Sequence, residues 1–222
     1  MKELDIEQFG NKVRDALKET REISVFQNFS EIGELSIVDS VIVYATVVCV
    51  YVEWDESIPP SHYATLLKAV YDIFSEHPKC KDILSLENNI VAVIDSPFKT
   101  DIDNALDSVG KINTLFNLAN KIREQKKQQA IKRGIGMNYG KVLLVKTAQP
   151  ENLVVGWDGE ALSSVIKLSK SAVERAKVYA SYTIFNNLKE DYKKLFSKAA
   201  SEDYYEGEPI NIAMNKWIIA NV

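Results

Sequence analysis

A run of β-branched and aromatic residues in the first quarter of the chain constrains the fold more than any other feature. Residues 41–52 read VIVYATVVCVYV, with no alternation of polar and apolar side chains. A strand without a polar face is buried on both sides, as in the interior of a sheet that other elements cover. We therefore predict a central strand at residues 41–52. The run is too short to cross a bilayer, which takes about 20 residues as a helix.

Four segments place apolar residues at the three- and four-residue spacing of amphipathic helices. Ser61 is an expected N-cap for the second segment, and Asp101 and Asp103 offer starts for the third. The first is interpreted as a packing or dimerising element, so residues 1–40 form a predicted N-terminal helical appendage and residues 41–222 the main domain. The segments are residues 6–20, 63–74, 102–122 and 161–168.

Short apolar runs between these segments predict strands. Residues 83–86 and 90–94 flank Glu87-Asn88-Asn89, where asparagines tolerate the positive φ of a tight hairpin turn. Residues 134–137 and 141–147 flank Asn138-Tyr139-Gly140 and predict a second hairpin. The predicted order is β-α-β-β-α-β-β-α, which favours the α+β class: a mostly antiparallel sheet with packed helices.

Composition and charge narrow the function classes. The 222 residues are 46% hydrophobic and 26% charged, as is typical of a globular protein. A net charge of −4 supplies no positive field for a phosphate backbone or an anionic surface, so neither nucleic acid nor a membrane is an expected partner. Cys49 and Cys80 lie at no metal-ligand spacing, and the first residues do not form a signal peptide, so we expect a cytoplasmic location.

The glycine-rich segment after the longest predicted helix carries a resemblance. Residues 134–142 read GIGMNYGKV and resemble the G-I-G-x-x-x-G-x-V motif of class III nucleotidyl cyclases. Residues 157–168 look like the family's next element, in which a glycine and an acidic residue open a helix. Residues 90–97 and 210–214 strengthen a particular likeness to the pyrimidine (cytidylate and uridylate) cyclases of bacterial Pycsar anti-phage defence. The likeness spans roughly residues 41–217.

This resemblance implies a fold and an assembly. Class III cyclases have a ferredoxin-like α+β core and dimerise head to tail, with two composite active sites at the interface. The expected partner is therefore a second copy of the chain or a related cyclase chain. The reaction in the family joins the 3′-hydroxyl of a nucleoside triphosphate to its own α-phosphate, and a pyrimidine nucleotide is the ligand that the likeness implies here.

Two aspartates hold a pair of divalent ions in the family, and this chain departs from the pattern at both positions. The resemblance places Glu53 at the first position and Asn88 at the second. Glutamate keeps the charge but extends the carboxylate by one methylene, whereas an amide oxygen brings no negative charge. An active protein would use Mg²⁺ or Mn²⁺ here, and an impaired one would need no cofactor. The substitutions predict weak binding of two divalent ions.

The positions that act on the nucleotide are also altered. The resemblance places Ser163 where the family has an asparagine that orients the ribose, and Lys167 where it has a cation that neutralises the phosphates. These two residues are four apart and share one helix face. Trp157 and Glu160 are the predicted nucleotide-binding residues: an exposed indole there stacks on a base, or else it fills the interface core.

In related enzymes two side chains contact the purine base. The matching positions in this chain are Leu84 and Gly156, so the resemblance does not imply purine recognition.

Three candidate functions follow from the resemblance. The first is a divergent, catalytically impaired cyclase-like protein that binds nucleotide or regulates a partner in anti-phage defence. The second is an active pyrimidine cyclase that makes cyclic CMP or cyclic UMP from CTP or UTP, with Asp55 as an additional metal carboxylate. The third is an interaction module without a ligand.

Overall fold

The computed structural model describes residues 23–31, 38–149, 152–199 and 203–222. The helix predicted at residues 6–20 lies outside these ranges. Within the predicted appendage, Ser24–Phe26 form a short strand, and Phe29–Glu31 form a 3-10 turn. The division of the chain at residue 40 stays a prediction.

Nine strands of the described residues form one sheet, and the predicted central strand lies in its interior. The strands are β1 (Ser24–Phe26), β2 (Val38–Val52), β3 (Cys80–Leu86), β4 (Asn89–Ile94), β5 (Arg133–Gln149), β6 (Asn152–Asp158), β7 (Val178–Ser181), β8 (Phe196–Lys198) and β9 (Tyr204–Gly207). Their order is β3-β4-β2-β5-β7-β9-β8, with β1 paired to β2 and β6 paired to β5. β2 pairs antiparallel with both β4 and β5, which confirms its central place.

Six helices of the described residues accompany the sheet, and the three longest contain the helical segments predicted after residue 60. They are α1 (Pro60–Ser75), α2 (Lys99–Gln125), α3 (Glu160–Ser171), α4 (Tyr182–Asn187), α5 (Glu190–Lys193) and α6 (Ile212–Asn221). The chain order β2-α1-β3-β4-α2-β5, with the sheet order β3-β4-β2-β5, is the ferredoxin-like arrangement. The α+β class is thereby confirmed. None of the described helices combines the length and apolar character that crossing a bilayer requires.

Alternate side chains of β2 point to opposite faces of the sheet, and each face has its own apolar core. Val48, Val50 and Val52 belong to the core that includes Phe74 of α1 and Phe116 of α2. The other face carries a second core, to which α3 contributes; its buried members include Val43, Ala45, Val47, Cys49, Ala161, Leu162 and Val165. Burial on both faces explains why the strand shows no polar alternation in sequence.

The turn predicted at Asn138-Tyr139-Gly140 is wrong, because β5 runs unbroken through these residues. It pairs with β2 without a break from Val52↔Arg133 to Val38↔Thr147. Both strands of the predicted second hairpin belong to β5, and its antiparallel partner β6 was not predicted, so only the number of strands between α2 and α3 agrees with the prediction. Gly140 therefore lies in an extended strand, and no turn forms at it.

The glycines of this motif are explained by the helix above them. A Cβ atom on Gly134 would lie 1.9 Å from the carbonyl oxygen of Ser169, and one on Gly136 would lie 2.6 Å from that of Val165. α3 therefore packs directly on the backbone of β5, which a side chain at either glycine would prevent.

Three other local predictions need correction. The β3–β4 hairpin is confirmed, but the positive φ of 52° belongs to Glu87, which precedes the asparagines. Ser61 is not the N-cap but lies inside α1. The helix begins at Pro60, because proline suits the first helical position, and Pro59 is the N-cap. α2 begins after Phe98, and the carboxylate of Asp101 accepts a hydrogen bond from the Phe98 N–H at 3.0 Å.

Candidate functional site

The two predicted metal positions lie at the same end of the central strand. The N–H of Val52 donates to the carbonyl oxygen of Asn88 at 2.9 Å, and Glu53 is the next residue after Val52. The antiparallel pairing of β2 with β4 brings the strand end and the hairpin turn together, as the resemblance implies.

The carboxylate of Glu53 is already occupied by a cation of the same chain. Lys132 Nζ lies 2.9 Å from Glu53 Oε1, and the Lys132 carbonyl accepts the Glu53 N–H at 3.0 Å. The hydrogen bond and the charge of Glu53 raise the pKa of Lys132 above its ordinary value. The sequence analysis did not assign Lys132 to this site. Its place immediately before β5, opposite the end of β2, is the signal that would have identified it.

Asn88 is also engaged. Its amide oxygen accepts a hydrogen bond from the hydroxyl of Tyr63 at 3.3 Å. The Tyr63 ring in turn packs edge-on against Trp54, with the ring centroids 4.9 Å apart. Burial raises the pKa of Tyr63, so its hydroxyl stays a donor near neutral pH.

Glu53 and Asn88 alone do not fit a two-metal centre. Divalent magnesium prefers carboxylate oxygens in near-octahedral geometry, whereas this position offers one carboxylate bound to an ammonium group and one amide bound to a phenol. Within the described residues, no group of three or more histidine, cysteine, aspartate or glutamate side chains is arranged to hold a metal ion.

α3 positions the residues predicted to act on the nucleotide. Gly159 precedes the helix with a φ of +117°, which favours glycine, and Glu160 is an exposed residue of the first turn. Ser163 Oγ donates to the carbonyl oxygen of Gly159 at 2.8 Å. Ser163 and Lys167 are both exposed and lie one turn apart, so they share a solvent-facing surface of α3 as predicted.

Within one chain, Ser163 lies far from Glu53. Gly159, one turn before Ser163, packs against Val142, which pairs with Val43. About 30 Å of extended strand separates Val43 from Glu53. The rest of α3 runs along β5 toward the Glu53 end: Ser169 meets Gly134, which pairs with Tyr51, and Lys170 Nζ lies 5.9 Å from the Tyr51 ring. The structure therefore brings Glu53 and Asn88 together and places Ser163 away from them, with Lys167 between.

Trp157 takes part in a contact within the chain that sequence reasoning did not detect. Its indole Nε1 donates to Asp82 Oδ2 at 2.6 Å, and its ring lies 5.9 Å from that of Phe29. Lys81 Nζ lies over the Phe29 ring at 5.5 Å. Trp157 is half-buried and packs against the second core. The indole therefore packs within its own chain; stacking on a base and a place in the interface core both stay predictions.

Comparison with known proteins supports the fold. No protein-family model matches the chain. A curated uridylate cyclase from Treponema porcinum is 23% identical over 157 residues, which cover 67% of this chain and 55% of that relative. The chain thus spans little more than half the length of the relative.

Two solved structures illustrate the likeness in fold. The adenylyl cyclase CyaB from P. aeruginosa superposes with a TM-score of 0.59 at 13% identity, over 76% of this chain and 95% of that one. A class III adenylyl cyclase-like ATP-binding protein from Pseudomonas aeruginosa gives a TM-score of 0.60 at 11% identity, over 94% of this chain and 48% of that one. The chain has the fold of class III nucleotidyl cyclases, and its sequence is similar to that of a pyrimidine cyclase.

Proposed function

We propose that this chain is a class III nucleotidyl cyclase-like protein of bacterial anti-phage defence that binds nucleotide but is catalytically impaired, and that it acts as a sensor or regulates a partner protein in the cytoplasm. The observation that carries this proposal is the ion pair between Lys132 and Glu53. The one carboxylate retained at the metal positions is neutralised by the chain itself, and the second position is the neutral Asn88.

The separation of the two predicted residue sets supports a dimer in this proposal. Lys167 lies near Gly136, which pairs with Cys49, so about 13 Å of extended strand separates its level from Glu53, and Ser163 lies one helical turn farther away. A head-to-tail homodimer, or a pair with a related cyclase chain, would place α3 of one chain beside Glu53 of the other. Lys167 would then offer a point charge to a phosphate group.

A nucleotide-binding role agrees with one structural neighbour. That protein is described as a cyclase-like ATP-binding protein, and 94% of the present chain superposes on it. The base bound here is proposed to be a pyrimidine, since Leu84 lies on β3 as a partly buried side chain of the second core and has no polar group to read a purine.

The similarity to a uridylate cyclase favours a second candidate, an active pyrimidine cyclase that forms cyclic CMP or cyclic UMP and pyrophosphate with Mg²⁺ or Mn²⁺. Asp55 would be the further carboxylate. Its hydrogen bonds to Ser57, including one from the backbone N–H at 2.7 Å, lower the pKa of Asp55 and keep it ionised.

Incubation of the purified protein with ATP, GTP, CTP and UTP in the presence of Mn²⁺ distinguishes these candidates. We expect no cyclic product but a rise in melting temperature with CTP or UTP, because a ligand that binds only the native state stabilises it. The rise should be lost in Lys167→Met and kept in Lys121→Met, which removes a charge from α2 instead.

Two results would contradict the proposal. A cyclic product that disappears in Glu53→Ala would establish the active cyclase. If no cyclic product forms and none of the four nucleotides raises the melting temperature, the third function, an interaction module without a ligand, would be favoured.

A further inference from the structure

A cavity of about 280 Å³ lies between α1 and α2, away from the exposed face of α3. Residues from the first two turns of α1, from the C-terminal part of α2 and from the segment that leads to β5 line it. This volume is near the lower end of the range for small-molecule pockets. Apolar side chains form part of the wall: Leu66, Ala119, Ile122 and Ile131.

The charged side chains of the wall are cationic. Arg123 and Lys126 of α2 line the cavity beside the polar His62, Thr65 and Gln128, and none of its described lining residues is acidic. A concave site with two cations and an apolar wall favours a ligand that carries a negative head on an apolar body.

Arg123 supplies the strongest evidence. The side chain is only 5% exposed, and its Nε donates to the carbonyl oxygen of Gln129 at 2.6 Å. Its two terminal nitrogens are shielded from solvent and have no hydrogen-bond acceptor among the described residues. A guanidinium group stays charged in proteins, so leaving its donors buried and unpaired is unfavourable.

Neighbouring acceptors do not resolve this deficit. The carbonyl oxygen of Arg123 itself is used by the N–H groups of Lys126 and Gln128 at the end of α2. Asp55 interacts electrostatically with Arg123, but its carboxylate is hydrogen-bonded to Ser57. An external oxyanion would supply hydrogen-bond acceptors for both terminal nitrogens, in the bidentate geometry that guanidinium groups favour.

We propose that this cavity binds a small organic anion, with its carboxylate or phosphate head on Arg123 and its apolar body against Leu66 and Ile122. Lys126 adds positive charge beside the head group, and the His62 imidazole adds a polar contact. The cavity shares no residue with the proposed nucleotide site at the strand end and on α3.

Calorimetric titration and thermal melting of the full chain test this proposal, with benzoate and phenyl phosphate as the two anionic probes and benzyl alcohol as the neutral one. We expect one or both anions to bind and raise the melting temperature, and benzyl alcohol to do neither. The comparison between benzoate and phenyl phosphate identifies which head group the site prefers.

Variants locate the binding. Arg123→Met should weaken binding of the preferred anion by about tenfold or more, because it removes charge-assisted hydrogen bonds. Lys121→Met, on the same helix but outside the cavity wall, should bind like the wild type. If Arg123→Met does not fold, Ala119→Phe keeps the guanidinium and fills the cavity, and it should also abolish binding.

Three outcomes would overturn the inference: neither anion binds, benzyl alcohol binds as well as the anions, or binding survives unchanged in the variant that folds. Loss of nucleotide binding in the assay of the proposed function would leave this result unaffected, so failures of the two proposals are distinguishable.

Discussion

The indole Nε1 of Trp157 donates a 2.6 Å hydrogen bond to Oδ2 of Asp82, which joins β6 to β3, an outer strand of the sheet. Phe29 packs on the same indole, so a residue before β2 and a residue after β5 meet over the second core. This contact covers part of the sheet face on which α3 lies.

We expect Trp157→Phe to lower the free energy of unfolding by about 1 to 3 kcal/mol, because the variant loses a hydrogen bond to a carboxylate at a partly buried position. Urea-induced unfolding measures the change. Trp54→Phe is a matched control, since Trp54 is more exposed and packs on Tyr63 through its ring. Equal losses in the two variants would show that the contact with Asp82 contributes nothing beyond ring packing.

The ion pair at the end of β2 makes a prediction about metal affinity. Lys132→Met frees the carboxylate of Glu53, so we expect Mn²⁺ to bind roughly two- to fivefold more tightly, in keeping with the modest energies of exposed ion pairs. Calorimetric titration with Mn²⁺ measures this. Lys121→Met controls for the general loss of a positive charge. An affinity that rises equally in both variants would mean that net charge, and not the freed carboxylate, is responsible.

How far the sequence predicts this structure depends on the range of the interactions involved. The central strand and helices α1 to α3 could be predicted because local periodicity reflects burial. The continuity of β5 could not be predicted, since Asn138 and Gly140 look like turn residues. Only the packing of α3 over Gly134 and Gly136 explains why glycine occupies those two positions.

The candidate site shows the same limit. The positions of Glu53 and Asn88 at one strand end followed from the resemblance. Lys132 and Tyr63, which engage them, come from residues 79 and 25 positions away along the chain. Such partners depend on the register between strands and on the packing of α1, which no local sequence pattern records.

The buried thiol of Cys49 predicts a pH dependence of stability. Burial raises the pKa of Cys49 to about 12 from an ordinary value of 9.0, despite a hydrogen bond from Ser169 that acts in the opposite direction. The folded state therefore holds this proton more tightly than the unfolded state. The associated stability is fully present below pH 9 and is lost as the pH rises from about 9 toward 12.

Unfolding by urea at several values between pH 8 and pH 11 tests this dependence under reducing conditions. We expect the free energy of unfolding of the wild type to fall more steeply above pH 9 than that of Cys49→Ala, by up to about 1.4 kcal/mol per pH unit. The free energy of unfolding of Cys80→Ala should diverge from that of the wild type over a narrower pH interval, since burial raises the pKa of Cys80 only to about 11. Parallel curves for the wild type and Cys49→Ala would refute the assignment.

The packing of α3 on β5 makes the last prediction. A methyl group on Gly136 would lie 2.6 Å from the Val165 carbonyl oxygen and 2.9 Å from the Ser169 backbone nitrogen, so backbone and not a flexible side chain must move. We expect Gly136→Ala to cost about 2 to 3 kcal/mol of unfolding free energy, as overpacking of a core does.

Gly156→Ala is the matched control, since a methyl group there would approach no atom of the described residues closer than 3.9 Å. It should change the unfolding free energy by less than about 1 kcal/mol. Because α3 carries Ser163 and Lys167, the displaced helix of Gly136→Ala should also lose the stabilisation by CTP or UTP that Gly156→Ala retains. If Gly136→Ala were as stable as Gly156→Ala, α3 would not pack on the bare backbone of β5, and the placement of its exposed residues would have to be revised.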